Sequence, residues 1–463
     1  MMHLRCLALL MPMALFGCTL APTYERPAAP VPSTWPQGTG YTPSVQAFVP
    51  TTWEALVLDA DLRSVITLAL TNNRDLRKAA ANIESARAQY RLQRSELWPQ
   101  LNASTNASRS RTQVETLGQK QTVYSKSVSA SVGLSAYELD LFGRVRSLSE
   151  SAQQSLLATE EASRATYISL IAETANAYLT LASDRAQLRI SEETLESAGR
   201  TVSLIQGRLS AGIASRVDLR QAQTIYEQAR ADIANYRTLV AQDRNALELL
   251  VGQTLDDAVL PQPLEADKPL FAEVSPGLSS NVLLKRPDVL QAEHNLLAAN
   301  ANIGAARAAF FPQLSLTSSV GLSSNGLSSL FSSANKVWSF MPSVSIPIFT
   351  GGANTANLNY SKAQRDYYVA DYEQSIQTAF REVADALARR GTLEEQLSAQ
   401  TALLEAASES YQLSDARYRR GIDTFLNALD AQRTLYSAQK SLINARQIAE
   451  ENRIELYRVL GGI

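Results

Sequence analysis

Few residues in this 463-residue sequence could do covalent or acid–base chemistry. It holds two histidines, His3 and His294, and two cysteines, Cys6 and Cys18. It has no phosphate-binding Gly-x-x-x-x-Gly-Lys loop, no zinc-binding His-Glu-x-x-His and no Gly-x-Ser-x-Gly nucleophile turn. His294 lies in a helical stretch and reads as a structural side chain. The residues that do cluster by type are charged and flank glycines. Arg417-Tyr418-Arg419-Arg420-Gly421-Ile422-Asp423 leads into a helix that carries Leu426 and, one turn later on the same face, Asp430. Arg208 to Asp218 repeats the pattern around Gly212, with Ser215 and Asp218 at capping-box spacing. Asp423 is placed to cap the helix that follows it. The basic cluster Arg417, Arg419 and Arg420 suits the C-terminal end of a helix dipole. The chemistry on offer is electrostatic: side chains that can hold helix ends or repel one another.

Both turns need long helices to carry them. Gly212 and Gly421 are separated by the same interval as Gly252 and Gly461, which close the following helices, so one helical hairpin occurs twice. A proline-free helical pattern runs from Arg144 to about Ser210, with Ser183 and Gly199 as candidate shallow breaks. At about 1.5 Å per residue this is on the order of 100 Å, longer than any single globular core. Its counterpart runs from Ala353 to Arg420. The return helices reach Leu250 and Leu460 and carry heptad rows: Tyr226, Ile233, Val240 and Leu247, then Leu435, Leu442, Ala449 and Leu456. Sevens sustained this far predict coiled-coil-like seams.

Ahead of each long helix the period changes. A helix from Leu62 to Leu97 ends at Trp98-Pro99-Gln100-Leu101. Then Leu101, Ala103, Thr105 and Ala107 alternate with Asn102, Ser104, Asn106 and Ser108, a polar stretch runs to about Gln121, and Val128 to Ala136 alternate with serines and Gly133. In the second half Phe311-Pro312-Gln313-Leu314 opens the same programme, and its return strand carries Phe340, Val344, Ile346 and Ile348 on one face. A period of two with one apolar and one small polar face predicts strands. The expected layout is therefore a first repeat over 59–260 with a strand hairpin at 100–142, a linker at 261–277, and a second repeat over 278–463 with a strand hairpin at 312–350. Four apolar-and-serine strands cannot close a barrel alone, and an open edge in lipid leaves backbone groups unpaired, so several chains must pool their strands.

The N-terminus is a targeting segment. Residues 1–17 have the form of a signal peptide with an apolar core from Leu7 to Leu15. Leu15-Phe16-Gly17-Cys18 resembles a bacterial lipobox, in which Cys18 becomes the lipidated first residue of the mature chain. Cleavage there discards Cys6 and leaves no possible disulfide. Residues 18–58 read as a Pro-rich tether without a core of its own. A net charge of -2 gives no nucleic-acid footprint. No run reaches the roughly 18 apolar residues of a membrane-spanning helix.

The lipobox, the tether, the duplicated helix–hairpin–helix layout, the two strand entries and Arg417-Tyr418-Arg419-Arg420-Gly421-Ile422-Asp423 with Leu429-Asp430-Ala431-Gln432-Arg433 together resemble the TolC family. Within it they resemble the lipoprotein branch typified by OprM and NodT-type efflux proteins. The resemblance implies a mainly α fold with a β-barrel portion. Three copies would form a 12-stranded transmembrane β-barrel and a periplasmic α-barrel of coiled-coil-like helices. It implies an outer-membrane location, with the lipid on Cys18 as the only bound group and no cofactor or metal. The implied partners are a periplasmic adaptor and an inner-membrane pump of the RND class. The implied function is a passive, non-enzymatic duct for drugs and other small toxic solutes. The resemblance also places Leu426 and Asp430 at a periplasmic gate, and Arg417 and Tyr418 among latching side chains with an acidic partner such as Asp218. The turns at Gly212 and Gly421 would face the adaptor. Two alternatives stand: the same duct serving protein secretion or metal efflux, and a lipid-anchored coiled-coil scaffold without a pore.

Overall fold

The computed structural model describes residues 19–41, 52–116, 119–264, 268–274, 277 and 279–462. Cys18 and the signal segment lie outside the described residues. A helical turn at Trp53–Leu56 precedes α1 (Ala60–Asn72) and α2 (Arg74–Ser95), followed by β1 (Leu101–Thr116), β2 (Gln119–Leu139), α3 (Arg144–Ser210) and α4 (Arg216–Val251). A short 3-10 segment, Ser280–Lys285, then leads to α5 (Pro287–Ala308), β3 (Gln313–Ser324), β4 (Lys336–Ser345), α6 (Ala353–Arg419) and α7 (Phe425–Val459). Among the described residues no helix is long and apolar enough to cross a membrane.

The chain divides into two compact units. One is formed by 82–160 and 291–372 with the chain up to Ala28, the other by 29–81, 161–290 and 373–463. The first unit contains one antiparallel sheet in the order β1-β2-β3-β4. Cross-strand partners share a face, so the register defines both faces. One face stacks Ala103, Val132, Val320 and Trp338 in one row and Thr105, Ala130, Leu322 and Lys336 in the next. The other stacks Asn102, Gly133, Ser319 and Ser339, then Ser104, Ser131, Gly321 and Val337. Its serines bond across strands: Ser104 Oγ lies 3.1 Å from Ser131 Oγ, and Ser319 Oγ 2.8 Å from Ser339 Oγ. The alternation expected from the sequence is therefore the alternation of the sheet.

Two strand ends differ from expectation. The polar stretch to Gln121 is strand, since β1 and β2 pair to Thr116 and Gln119. Conversely, β4 stops at Ser345 and leaves out Ile346 and Ile348. Pro347, between them, has no N–H to give a ladder.

α3 runs unbroken through Ser183 and Gly199. The first helix of each repeat, by contrast, begins at a break. The expected helix from Leu62 to Leu97 is divided at Asn73, whose backbone leaves the helical region. Asn73 Oδ1 accepts from the amides of Asp75 (2.7 Å) and Leu76 (3.1 Å), and its Nδ2 donates to the Leu250 carbonyl (2.8 Å). At the matching position Arg286 is extended ahead of Pro287, which starts α5. Arg286 Nη1 donates to the Val459 carbonyl at 2.6 Å. Leu250 and Val459 each stand two residues before the glycine that closes their return helix. The duplication thus extends to which carbonyl each break holds.

Residues 19–41 are not a free tether. In the first unit, α5 grips the segment: Arg307 donates to the Leu20 carbonyl (3.0 Å) and Asn300 to the Pro22 carbonyl (2.8 Å). Tyr24 and Arg26 bond to the Glu293 carboxylate. A Cβ at Gly304 would lie 2.8 Å from the Ala21 amide nitrogen, so α5 carries glycine where the segment crosses it. In the second unit, Ser280 donates its amide to the Ser33 carbonyl (3.0 Å) and Trp35 stacks on Phe380 at 5.4 Å.

Candidate functional site at the helical turns

The two glycine turns have one geometry. Gly212 and Gly421 both take φ of +73°, a left-handed conformation that glycine adopts without a Cβ penalty. In the first turn the Ile213 amide donates to the Arg208 carbonyl (2.8 Å) and the Gly212 amide to that of Leu209 (3.0 Å). In the second, Ile422 reaches Arg417 (3.0 Å) and Gly421 reaches Tyr418 (2.9 Å). These paired bonds satisfy the last carbonyls of α3 and α6 and stop both helices. The turns pack together over a cluster that includes Ile205, Ile225, Tyr418, Phe425 and Leu429.

The charged residues divide by turn. Ser215 and Asp218 form the expected capping box at α4. The Asp218 carboxylate takes the Ser215 amide at 2.9 Å, and within the chain it does not pair with Arg417. Asp423 does not cap α7 as the sequence suggested. Thr424 occupies the N-cap position, so Asp423 stands one residue outside the helix and accepts from the N-cap amide rather than from those of the first turn. Its carboxylate takes the Thr424 amide (2.8 Å), the Asn427 side chain (2.6 Å) and Arg417 Nε (3.3 Å). These bonds, the Thr424 amide first, hold its pKa below the usual carboxylate value. Arg417 thus has an acidic partner, but inside its own turn. Tyr418 is buried, and Arg208 of the other turn lies over its ring at 4.8 Å. That contact links the two turns and was not legible in either segment alone.

Phe425, Ala428, Leu429 and Gln432 are the buried face of this end of α7. Leu426 and Asp430 stand off that face. Leu426 is 46% exposed, and Asp430 is exposed with Arg433 Nη1 3.6 Å away. Arg433 also donates to Thr224 Oγ1 on α4 at 2.7 Å, tying Asp430 to the neighbouring helix. At the tips Ile213 and Ile422 are exposed, an apolar pair between charged flanks. His294 bonds to Gln154 at 2.7 Å. Among the described residues no group of three or more His, Cys, Asp or Glu side chains could hold a metal ion.

A second carboxylate site, not singled out in the sequence, lies between α3 and α4. Asp184 and Asp243 lie close enough for each to bear on the other's ionisation, and burial favours their protonated forms. One Asp243 carboxylate oxygen is buried with no N–H donor. Arg185 is turned to the Pro261 carbonyl (2.6 Å), and Arg244 to Glu248 and Asp257. Burial, and then the charge of Asp243, push Asp184 up to about 6, and burial raises Asp243 as well. A carboxyl whose folded pKa is raised stabilises the fold fully below its ordinary value near 3.8 and loses that contribution as pH rises through about 6. Asp184→Asn supplies a permanent donor. It should match the parent in thermal stability at pH 4.5 and exceed it at pH 7.5 by on the order of 1 kcal/mol, after discounting for partial exposure. A stability difference independent of pH would refute the raised carboxyl.

The chain combines a sheet with one small polar and one apolar face with two long helical hairpins that end in charged turns. The profile of the outer membrane efflux protein family matches residues 65–253 and 278–462. The chain is 47% identical over 449 residues to the antibiotic efflux pump outer membrane protein ArpC of Pseudomonas putida, covering 96% of this chain and 93% of that one. The toluene efflux pump outer membrane protein TtgC of Pseudomonas putida matches with the same identity and coverage. The open-state crystal structure of the Neisseria gonorrhoeae MtrE outer membrane channel superposes with a TM-score of 0.86 at 38% identity, covering 96% of this chain and 98% of that one. The chain belongs to the outer membrane efflux protein family. It is an efflux channel protein of the bacterial outer membrane, and the pore-free scaffold reading is set aside.

Proposed function

We propose that three copies of this chain form one continuous duct, which takes small toxic organic solutes from an inner-membrane pump to the cell exterior. The observation that carries this reading is the sheet itself. It has four strands, and its outer strands β1 and β4 each leave one edge without a partner. In lipid an open edge is untenable, so β4 of one copy pairs with β1 of the next, and three copies give a closed ring in the size range of outer-membrane barrels. The serine and asparagine face lines water, and the apolar face meets lipid. The antibiotic and toluene pumps named for the relatives support the solute class. The paired turns, with Ile213 and Ile422 exposed at their tips, are the surface offered to a periplasmic adaptor, with an RND pump beyond it. An acyl lipid on Cys18 adds a second hold on the membrane. The chain itself does no chemistry.

In this reading Leu426 and Asp430 face the axis at the periplasmic end, where three carboxylates favour cations. Purified protein in planar bilayers should form cation-selective channels. Asp430→Ala should lower the cation-to-anion permeability ratio by at least about twofold. Absence of any channel would sink the duct. A channel whose selectivity the substitution leaves unchanged would sink the gate assignment and keep the duct.

A further inference from the structure

We propose that the outer part of the β1–β2 hairpin carries a binding site for the phosphate groups of the phosphorylated glycolipid of the outer leaflet, built from Arg109, Arg111 and Lys126. The inference rests on reading the sheet as part of a transmembrane barrel.

Arg109 pairs with Lys126 and Arg111 with Tyr124 across the β1–β2 ladder, so all four project from one face. It is the face of Leu101, Ala103, Val128 and Val132, the face toward lipid. Between Asn102 and Ser110 on β1, and Ser125 and Gly133 on β2, the water-lining face carries no charge. Cations that served only solubility would be cheapest there. Instead every basic residue of both strands lies on the lipid side.

Their depth is also defined. A tilted strand crosses the hydrocarbon layer in about 9–11 residues. Trp98, Leu101, Ile348 and Phe349 are exposed at the helix-proximal end of the strands, an aromatic and aliphatic belt suited to the inner boundary. Leu101 to Arg109 and Lys126 to Leu134 are each a span of nine residues counting both ends, which puts Arg109 and Lys126 at the opposite boundary. There Tyr124 sits beside the Arg111 guanidinium, 5.7 Å from ring centre to carbon, as an interfacial aromatic steadying a cation. Farther out Lys120 faces Glu115, so within this hairpin the uncompensated positive charge is confined to the boundary rows, while β4 carries Lys336 on the same face in the row of Thr105, Ala130 and Leu322. Guanidinium forks bind phosphate oxygens in pairs, and an adjacent ammonium adds a third charge. Phosphates at the head of a lipid meet this cluster at the height where the acyl chains meet the apolar rows.

The test uses the full-length protein, stripped of lipid in mild detergent and titrated at 150 mM salt with three probes. These are lipopolysaccharide with both lipid A phosphates, its dephosphorylated form, and phosphatidylglycerol. Retention on the protein and the dissociation temperature of the assembled form are read together. The phosphorylated glycolipid should bind at least tenfold more tightly than either other probe. R109Q/R111Q/K126Q should abolish that preference, while K120Q keeps it. Equal binding of phosphatidylglycerol, or an undiminished preference in the triple variant, overturns the site. The comparison among the three lipids on the unsubstituted protein decides the matter even if the triple variant fails to assemble. Protein that does not float with vesicles at all would instead refute the barrel.

Discussion

Arg286→Met should be among the most damaging single substitutions in the helical unit, costing about 3 kcal/mol and lowering the temperature at which the assembled form is lost. Arg286 is only 5% exposed. Its guanidinium forks onto Asp288 (3.0 and 2.7 Å), reaches Glu382 (2.8 Å) and holds the Val459 carbonyl (2.6 Å). Burial disfavours its charge, but Asp288 and Glu382 outweigh it and hold its pKa above the ordinary arginine value. Breaking a buried pair by removing one member commonly costs about 3–5 kcal/mol. The lower end applies because Asp288 is half-exposed and can regain water, and because Glu382 keeps Arg458 at 3.8 Å. What cannot be recovered is the Val459 carbonyl at the closed end of α7. Arg286→Lys keeps the charge but not the fork, and should recover less than half of the loss. Thermal unfolding in detergent, followed by loss of the oligomer on gels, measures both. If Arg286→Met melted with the parent, the helix break would not depend on this side chain.

Arg286 also marks where sequence reasoning stopped. The recurrence of Asn73-Arg74-Asp75-Leu76 as Lys285-Arg286-Pro287-Asp288-Val289 was the available signal. Its meaning, a side chain reaching a carbonyl at the end of the return helix, depends on a contact between residues far apart in the chain. The same limit hid the carboxyl pair Asp184–Asp243 and the Arg208–Tyr418 contact. The ends of α3 were legible because the strand alternation stops before Arg144 and Gly212 closes a proline-free run. The strand faces were legible because serine and small apolar residues alternate over the lipid-facing rows. Beyond Ser108 that contrast fades, since strand outside hydrocarbon needs no apolar face, and so β1 and β2 are longer than the pattern. Residues 19–41 were misjudged for a different reason. Proline and threonine do deny them a core of their own, but their carbonyls and Trp35 are held by α5, Ser280 and Phe380. Composition does not record what a segment can borrow from its neighbours.

The second large effect is expected in the sheet. Gly133 of β2 faces Ser319, and Gly321 of β3 faces Ser131, on the water-lining side of the β2–β3 seam that joins the two repeats. A Cβ at Gly133 would lie 2.2 Å from the Ser318 carbonyl oxygen, and one at Gly321 would lie 2.2 Å from that of Ala130. Both obstacles are backbone, so neither can swing aside as a side-chain tip could. An alanine at either position must push the strands apart, and overpacking of this kind costs about 1–3 kcal/mol, with the upper end expected where the obstacle is backbone. The seam cannot slide to escape, because a one-residue slip would turn Val132 and Val320 to water and the serines to lipid. Gly133→Ala and Gly321→Ala should each sharply reduce the heat-stable assembled form recovered from membranes, and the double variant should give none. Ser131→Ala and Ser319→Ala, on the same face and each losing one inter-serine hydrogen bond, are the controls and should assemble within about 1 kcal/mol of the parent. Recovery of Gly133→Ala at the parent's level would mean that the two hairpins do not approach as closely as the sheet places them, and that the seam tolerates a wider lumen.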